Sequence, residues 1–131
     1  MKQYGWLIFL MIGGLILLFA AYNALYIPTI DPADPEMGWE WLTTDPEIIE
    51  YIKFNFRVQG IWIFGYGLLV MAASLALRRG NRWAWLGLWS VPVVILTLLP
   101  MMPWTLPVFF LPLAAAVGSL IYFRPLINNG N

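Results

Sequence analysis

Residues 50–77 read EYIKFNFRVQGIWIFGYGLLVMAASLAL and pass from a charged, aromatic segment into an apolar one without a proline. The apolar part is as long as the roughly 17–25 residues that a membrane-spanning helix needs. Three more stretches share this character, and spans are predicted at about residues 6–25, 54–77, 83–99 and 106–123. We therefore expect an all-α membrane protein, a single domain over residues 1–131 with four transmembrane helices in an up-down bundle.

The composition supports a membrane protein and removes several kinds of chemistry. Of the 131 residues, 61% are hydrophobic, whereas soluble domains average roughly 45–50%. The chain has no histidine and no cysteine, which excludes disulfides and the usual ligation of zinc, haem or iron–sulfur clusters. We therefore expect no metal site and no cofactor, and we assign no catalytic residue. Any acid–base chemistry would have to rely on aspartate and glutamate.

The positions of the charged residues predict the orientation. All seven acids lie between residues 31 and 50. Most basic residues lie elsewhere, namely Lys2, Arg78, Arg79, Arg82 and Arg124. Because Lys and Arg next to spans favour the cytoplasmic side, both termini are expected to be cytoplasmic and the acidic loop, about residues 26–53, extracytoplasmic. The first apolar run is longer than the roughly 7–15 residues of a signal-peptide core, so we expect it to remain as a span.

A helix start is signalled shortly before the second span. Asp45 is a suitable N-cap, Pro46 fits the first helical position, and Glu47 adds negative charge at the helix N-terminus. Thr44 with Glu47 offers a capping box as the alternative register. The prediction is one continuous helix from about Pro46 to Leu77, about 48 Å long at 1.5 Å per residue. Since the hydrocarbon core is only about 30 Å thick, the first turns should stand at or above the outer membrane surface.

Helical spacing divides the residues of the second span between two stripes. The first stripe, with steps of three and four, consists of Glu50, Lys53, Arg57, Gly60, Phe64, Gly67, Met71 and Ser74. Its small residues Gly60, Gly67 and Ser74 are predicted to pack against another helix. The second stripe consists of Asn55, Gln59, Trp62 and Tyr66. Because amides in hydrocarbon need partners, it is predicted to face another helix, a water-filled recess or an oligomer interface.

Arg57 is a candidate with more than one interpretation. Charged residues in spans are functional candidates, and we group Arg57 with the second stripe as the candidate ligand- or partner-binding residues. Two structural interpretations stand beside this one. Arg57 would pair with a loop carboxylate or with Glu50, or it would reach the headgroups by snorkelling.

The segments FRVQGIWIFGYGLL (56–69) and RRGNRWAWLGLWSVP (78–92) carry a resemblance to a known family. They combine an arginine that enters the second span, spaced glycines and a basic hairpin that opens the third. In this they resemble the DoxX-like group of small bacterial four-helix membrane proteins, with Arg57, Gly60 and Gly67 as the matching positions. The resemblance implies a four-helix bundle. Members of this group are largely uncharacterised, and its name comes from a subunit of a quinone-linked oxidoreductase.

These observations lead to three hypotheses on function. The leading one is an accessory or interaction subunit in the cytoplasmic membrane, whose partners are the lipid bilayer, further copies of itself or a larger membrane complex, and not nucleic acid. The alternative is a binder or carrier of a lipophilic molecule, such as a quinone or a lipid, held between helices. A small membrane enzyme that uses carboxylates is the third.

Overall fold

A computed structural model of the chain describes residues 5–34, 38, 42–98 and 106–128. Within these ranges every regular element is a helix, as expected for an all-α fold. The predicted outer turn between the third and fourth spans lies outside the described residues, as do two short parts of the acidic loop, 35–37 and 39–41.

The first predicted span is a helix that changes type near its end. Helix α1, Gly5–Ala21, is followed by a π-helical segment, Tyr22–Tyr26, and a 3-10 turn, Ile27–Thr29. The backbone N–H of Ile27 donates to the carbonyl of Tyr22, which gives the wider spacing of the π-helix. Pro28 lies in the 3-10 turn and lacks the N–H that an α-helix would use.

The second predicted span belongs to one uninterrupted helix. Helix α2 runs Pro46–Arg78 over 33 residues, which confirms the predicted continuous helix. Its N-cap is Asp45, whose Oδ1 accepts a hydrogen bond from the backbone N–H of Glu47 at 2.9 Å. The backbone N–H of Asp45 in turn donates to Thr43 Oγ1 at 3.1 Å. The chain therefore uses the first of the two predicted registers.

The turn after α2 combines a helix stop with a helix start. Gly80 has a φ of 78°, a left-handed conformation that glycine adopts without a Cβ clash. The backbone N–H of Gly80 donates to Leu77 at 2.9 Å and that of Asn81 donates to Ala76 at 3.1 Å, which is the Schellman arrangement. Asn81 Oδ1 then accepts from two backbone N–H groups of helix α3, Arg82–Leu88, at 2.9 and 3.4 Å.

The third predicted span is divided into two helices shortly before Pro92. Helix α3 ends at Leu88, and helix α4 runs Ser90–Leu98. The break precedes Pro92, which has no N–H to donate and whose ring clashes with the carbonyl four residues earlier. The N–H of Trp89 donates instead to the carbonyl three residues earlier at 3.2 Å.

Helix α5, Leu106–Asn128, covers the fourth predicted span and packs against α3 and α4. Trp85 of α3 donates its Nε1 hydrogen to the carbonyl of Leu120 at 2.9 Å. The Trp85 ring also meets the Trp89 ring edge-on, with centroids 6.0 Å apart and planes at 86°. Leu88, Val91 and Leu120 are almost completely buried and form the core of this group of helices.

The chain divides into two compact units. One consists of Met1–Gly14 and Leu68–Asn131, and the other of Leu15–Gly67. The group formed by α3, α4 and α5 belongs to the first unit. Helices α1 and α2 each contribute residues to both units.

Two helical stretches are long and apolar enough to cross a membrane, Gly5–Thr29 and Pro46–Arg78. The remaining apolar stretches among the described residues, Arg82–Thr97 and Phe110–Tyr122, are shorter. In the most apolar 18-residue segment of the first stretch, only 22% of the segment is buried. In the corresponding segment of the second stretch, 28% is buried. Most residues of these two segments are therefore exposed or half-buried.

Candidate functional site

One face of α2 is buried over much of the helix. Its buried and half-buried residues recur at steps of four and three, namely Phe56, Gly60, Ile63, Gly67, Val70, Ser74 and Leu77. This spacing is typical of helices that pack side by side at a small crossing angle. The face contains the small residues of the first predicted stripe. It is rotated away from Arg57 and Phe64, whose side chains are exposed.

Gly60 is a point of close approach between α2 and the backbone of the first predicted span. A Cβ at this position would lie 2.6 Å from Ala24 Cβ, 2.8 Å from Ala24 N and 2.9 Å from the carbonyl oxygen of Ala20. Backbone atoms cannot move aside as the end of a side chain can, so the contact requires glycine. At Gly67 the nearest atom is Leu17 Cδ2, at 2.8 Å, which belongs to a flexible side chain. The later residue of α2 meets the earlier residue of the first span, so the two helices run antiparallel within the unit Leu15–Gly67.

Asn23 lies next to the Gly60 contact, and the sequence analysis did not select it. Its side chain is only 5% exposed, and Nδ2 donates to the carbonyl of Phe19 at 2.8 Å. The amide thus adds a side-chain hydrogen bond where the α-helix changes into the π-helix. The sequence signal that could have indicated Asn23 is that it is a single amide inside an otherwise apolar run.

In the first unit, Trp6 holds the start of α1 against the end of α2. Ser74 is fully buried, and its Oγ donates to the carbonyl of Trp6 at 2.9 Å. One turn further along α2, the guanidinium carbon of Arg78 lies 4.9 Å from the centroid of the Trp6 ring, a cation–π contact. Backbone and ring of Trp6 therefore both contact α2.

Arg57 has an exposed side chain. Glu50, one of the carboxylates considered as its partner, lies 3.5 Å from Lys53 Nζ through Oε1. Because the Arg57 side chain is exposed, headgroup anchoring or contact with another molecule is favoured over a buried ion pair. The role of Arg57 stays a prediction.

The other candidate residues form a largely exposed strip along α2. Trp62 is 77% exposed, Asn55 and Gln59 are exposed, and Tyr66 is half-buried. Asn55 Nδ2 donates to the carbonyl of Tyr51 within the same helix at 3.0 Å. The strip presents amide groups and an indole on a helix surface, which suits contact with another helix or with the membrane interface.

Acid–base or metal-ion chemistry in this chain would depend on its carboxylates. Within it, no three acidic side chains come close enough to share a metal ion. Glu47 and Glu50, a carboxylate pair at helical spacing, are both exposed on the first turns of α2.

These features define an all-helical protein with two helices that meet the length and hydropathy requirements of membrane spans. Comparisons with profiles of protein families, with curated proteins and with solved structures find no match. The resemblance to the DoxX-like group therefore stays a prediction. The function has to be argued from the surfaces of the helices.

Proposed function

We propose that the chain is a four-span protein of the cytoplasmic membrane that acts as an accessory or interaction subunit of a membrane complex. The observation that carries the proposal is the low burial of its two long apolar helices. Only 22% and 28% of their most apolar 18-residue segments are buried. A helix that is apolar on all sides needs an apolar environment on all sides. The core of a soluble protein would bury such helices, whereas a bilayer surrounds them with hydrocarbon.

The exposed side chains of α1 support the same conclusion. Large apolar residues follow one another along α1, with exposed fractions of 69% at Met11, 59% at Leu15 and 69% at Leu18, and the π-helical segment after it continues the series with Leu25, which is 72% exposed. Contiguous apolar surface of this extent is rare on soluble monomers. Acyl chains of lipids are its natural neighbours.

Length and charge support four spans and the proposed orientation. Helix α5 has 23 residues, and about 20 suffice to cross the hydrocarbon core. The α3–α4 pair supplies the third crossing, with its break at Trp89 shielded by neighbouring helices. The arginines of the α2–α3 turn favour the cytoplasmic side, and the acidic residues before α2 lie on the other side.

The exposed strip on α2 supports an interaction role. Gln59 lies about 20 residues before the end of α2 at Arg78, close to where the helix enters the hydrocarbon. An amide there gains from a polar partner on another helix, and Trp62 adds a large aromatic contact surface beside it. An exposed strip favours contact with another subunit, or with a second copy, over a lipophilic ligand held between helices.

Cysteine accessibility tests the membrane part of the proposal. Because the chain has no cysteine, each single substitution gives one labelling site without a background. Leu69→Cys and Leu111→Cys replace residues that are 68% and 75% exposed. We expect both thiols to resist a water-soluble maleimide in membranes and to react after denaturation. Reaction of either thiol in the native membrane would contradict a lipid environment at that position.

Two further substitutions test the orientation. Thr44→Cys, in the acidic loop, should react when the reagent is added outside intact cells. Arg79→Cys, in the α2–α3 turn, should react only after the membrane is opened. The reverse pattern would overturn the proposed orientation, and equal reaction of both before opening would overturn the four-span arrangement.

Native mass spectrometry from nanodiscs tests the interaction part. We expect complexes that contain several copies of the chain or another subunit, and we expect Gln59→Leu combined with Trp62→Ala to weaken them. Leu69→Ala combined with Ile61→Ala, which removes apolar bulk from exposed positions of the same helix, is the matched control. A chain that is always found alone would argue against an interaction subunit.

A further inference from the structure

The turn between α2 and α3 is the most basic part of the described chain. Arg78, Arg79 and Arg82 fall within five residues, and all three side chains are exposed. The unit to which they belong, Met1–Gly14 with Leu68–Asn131, contains no aspartate and no glutamate in its sequence. No Asp or Glu side chain of this unit can therefore pair with these arginines.

The backbone of this turn is held rigidly. Gly80 and Asn81 each donate to a carbonyl of the last turn of α2, and the Asn81 side chain caps α3. Arg79 and Arg82 thus project from a backbone that hydrogen bonds hold on both sides. Preorganisation of this kind lowers the entropic cost of binding.

The three arginines differ in their surroundings. Arg78 lies over the ring of Trp6, which fixes its guanidinium at the end of α2. Arg79 and Arg82 are exposed beside Trp83, which is 80% exposed. Two guanidinium groups can donate paired hydrogen bonds to phosphate oxygens, and an exposed tryptophan favours the headgroup layer of a bilayer.

We propose that Arg79 and Arg82, with Trp83 beside them, bind the headgroup of an anionic phospholipid. This inference rests on the proposed membrane location of the chain. The ligand class follows from the charge of the turn, from its rigid backbone and from the neighbouring indole. The turn would then select the lipids around the protein as well as orient it.

Native mass spectrometry of the full chain tests this inference. The protein is placed in nanodiscs that contain equal amounts of phosphatidylcholine and phosphatidylglycerol, and the lipids that stay bound are counted. We expect phosphatidylglycerol to be enriched. Because each arginine at an anionic surface contributes about fivefold in affinity, Arg79→Gln combined with Arg82→Gln should reduce the preference by up to about 25-fold.

Matched variants test whether the preference for phosphatidylglycerol depends on Arg79 and Arg82 or on any positive charge of the chain. Lys53→Gln removes one positive charge from the N-terminal half of α2 and should leave the preference unchanged, whereas Arg79→Gln alone should reduce it by up to about fivefold. Arg79→Lys combined with Arg82→Lys keeps the charge and should restore part of the preference, because an ammonium group cannot donate the paired hydrogen bonds of a guanidinium. Equal losses in the single Lys53 and Arg79 glutamine variants, or no loss in the Arg79/Arg82 glutamine variant, would overturn the inference.

The outcome also separates this inference from the proposed function. A chain that enters nanodiscs and shows no preference for phosphatidylglycerol contradicts the headgroup surface and leaves the membrane location intact. A chain that does not enter nanodiscs contradicts the membrane location, and the inference fails with it.

Discussion

The hydroxyl of Ser74 donates to the backbone carbonyl of Trp6 at 2.9 Å, and no part of the Ser74 side chain is exposed. The two residues are 68 positions apart in the sequence. A serine at this point is small enough to let the helices approach, and it places its one polar group on the facing backbone. It therefore acts both as a small packing residue and as a hydrogen-bond donor.

Ser74→Ala should destabilise the protein modestly. The substitution keeps the small size and removes one interhelical hydrogen bond, which is worth about 0.6 kcal/mol on average in membrane proteins. Ser74→Leu should cost more, because the added atoms have no room in the contact. The measurement is thermal unfolding in detergent, followed by tryptophan fluorescence. Thr97→Ala, which removes a hydroxyl bonded only within its own helix, is the control, and a loss as large as that of Ser74→Ala would contradict the assignment.

Gly60→Ala should destabilise the protein and Gly65→Ala should not, although they make the same chemical change in the same helix. At Gly60 the new methyl group meets the backbone of the first predicted span, whereas at Gly65 nothing lies within 4 Å. We expect Gly60→Ala to cost about 1–3 kcal/mol through overpacking. Gly65→Ala should be neutral or stabilise by up to about 1 kcal/mol through helix propensity.

Gly67→Ala provides a graded test of the same contact. The atom nearest to its new methyl group ends a leucine side chain, which can move, so its cost should fall between the other two. The three variants can be compared by unfolding with a denaturing detergent. Equal stabilities of the Gly60 and Gly65 variants would show that the helices do not approach as closely as the structure indicates.

The stability of the α2–α3 turn should depend on the left-handed conformation of Gly80 and on the side chain of Asn81. Gly80→Ala places a Cβ at a φ of 78° and should cost about 1 kcal/mol, since the left-handed region is unfavourable for other residues. Asn81→Ala removes the cap of α3 and should cost a similar amount, about 1 kcal/mol. Asn81→Asp keeps an acceptor and should retain most of the stability. Loss of stability in the aspartate variant equal to that in the alanine variant would contradict the capping role.

Local signals predicted the elements well and the contact face less well. Asp45 and Pro46 predicted the start of α2, because capping depends on neighbouring residues alone. The contact face was harder, because Gly60, Gly67 and Ser74 fit two rotations of the helix. Which rotation is adopted depends on the surface of the facing helix, and spacing within α2 contains no information on it.

The break at Trp89 and the burial of Asn23 are two further features that the sequence alone did not predict. Proline disfavours the interior of a helix, so Pro92 was a local signal in the third span, but the residue at which the helix breaks depends on the packing of both flanking helices. Asn23 gave only one weak signal, a polar residue in an apolar run. Its side chain is buried and bonds to the carbonyl of Phe19 where the α-helix changes into the π-helix, and the sequence did not predict that change of helix type.

Trp85→Phe and Trp83→Phe should separate a structural indole from an exposed one. Trp85 Nε1 donates to the carbonyl of Leu120 at 2.9 Å, and its ring contacts Trp89, so phenylalanine retains much of the ring contact and loses the hydrogen bond. We expect a loss of about 0.5–1.5 kcal/mol. Trp83, two residues earlier and 80% exposed, should tolerate the same change without loss of stability. Thermal unfolding of both variants in the same detergent measures the difference, and equal melting temperatures would mean that the contact between α3 and α5 does not depend on this bond.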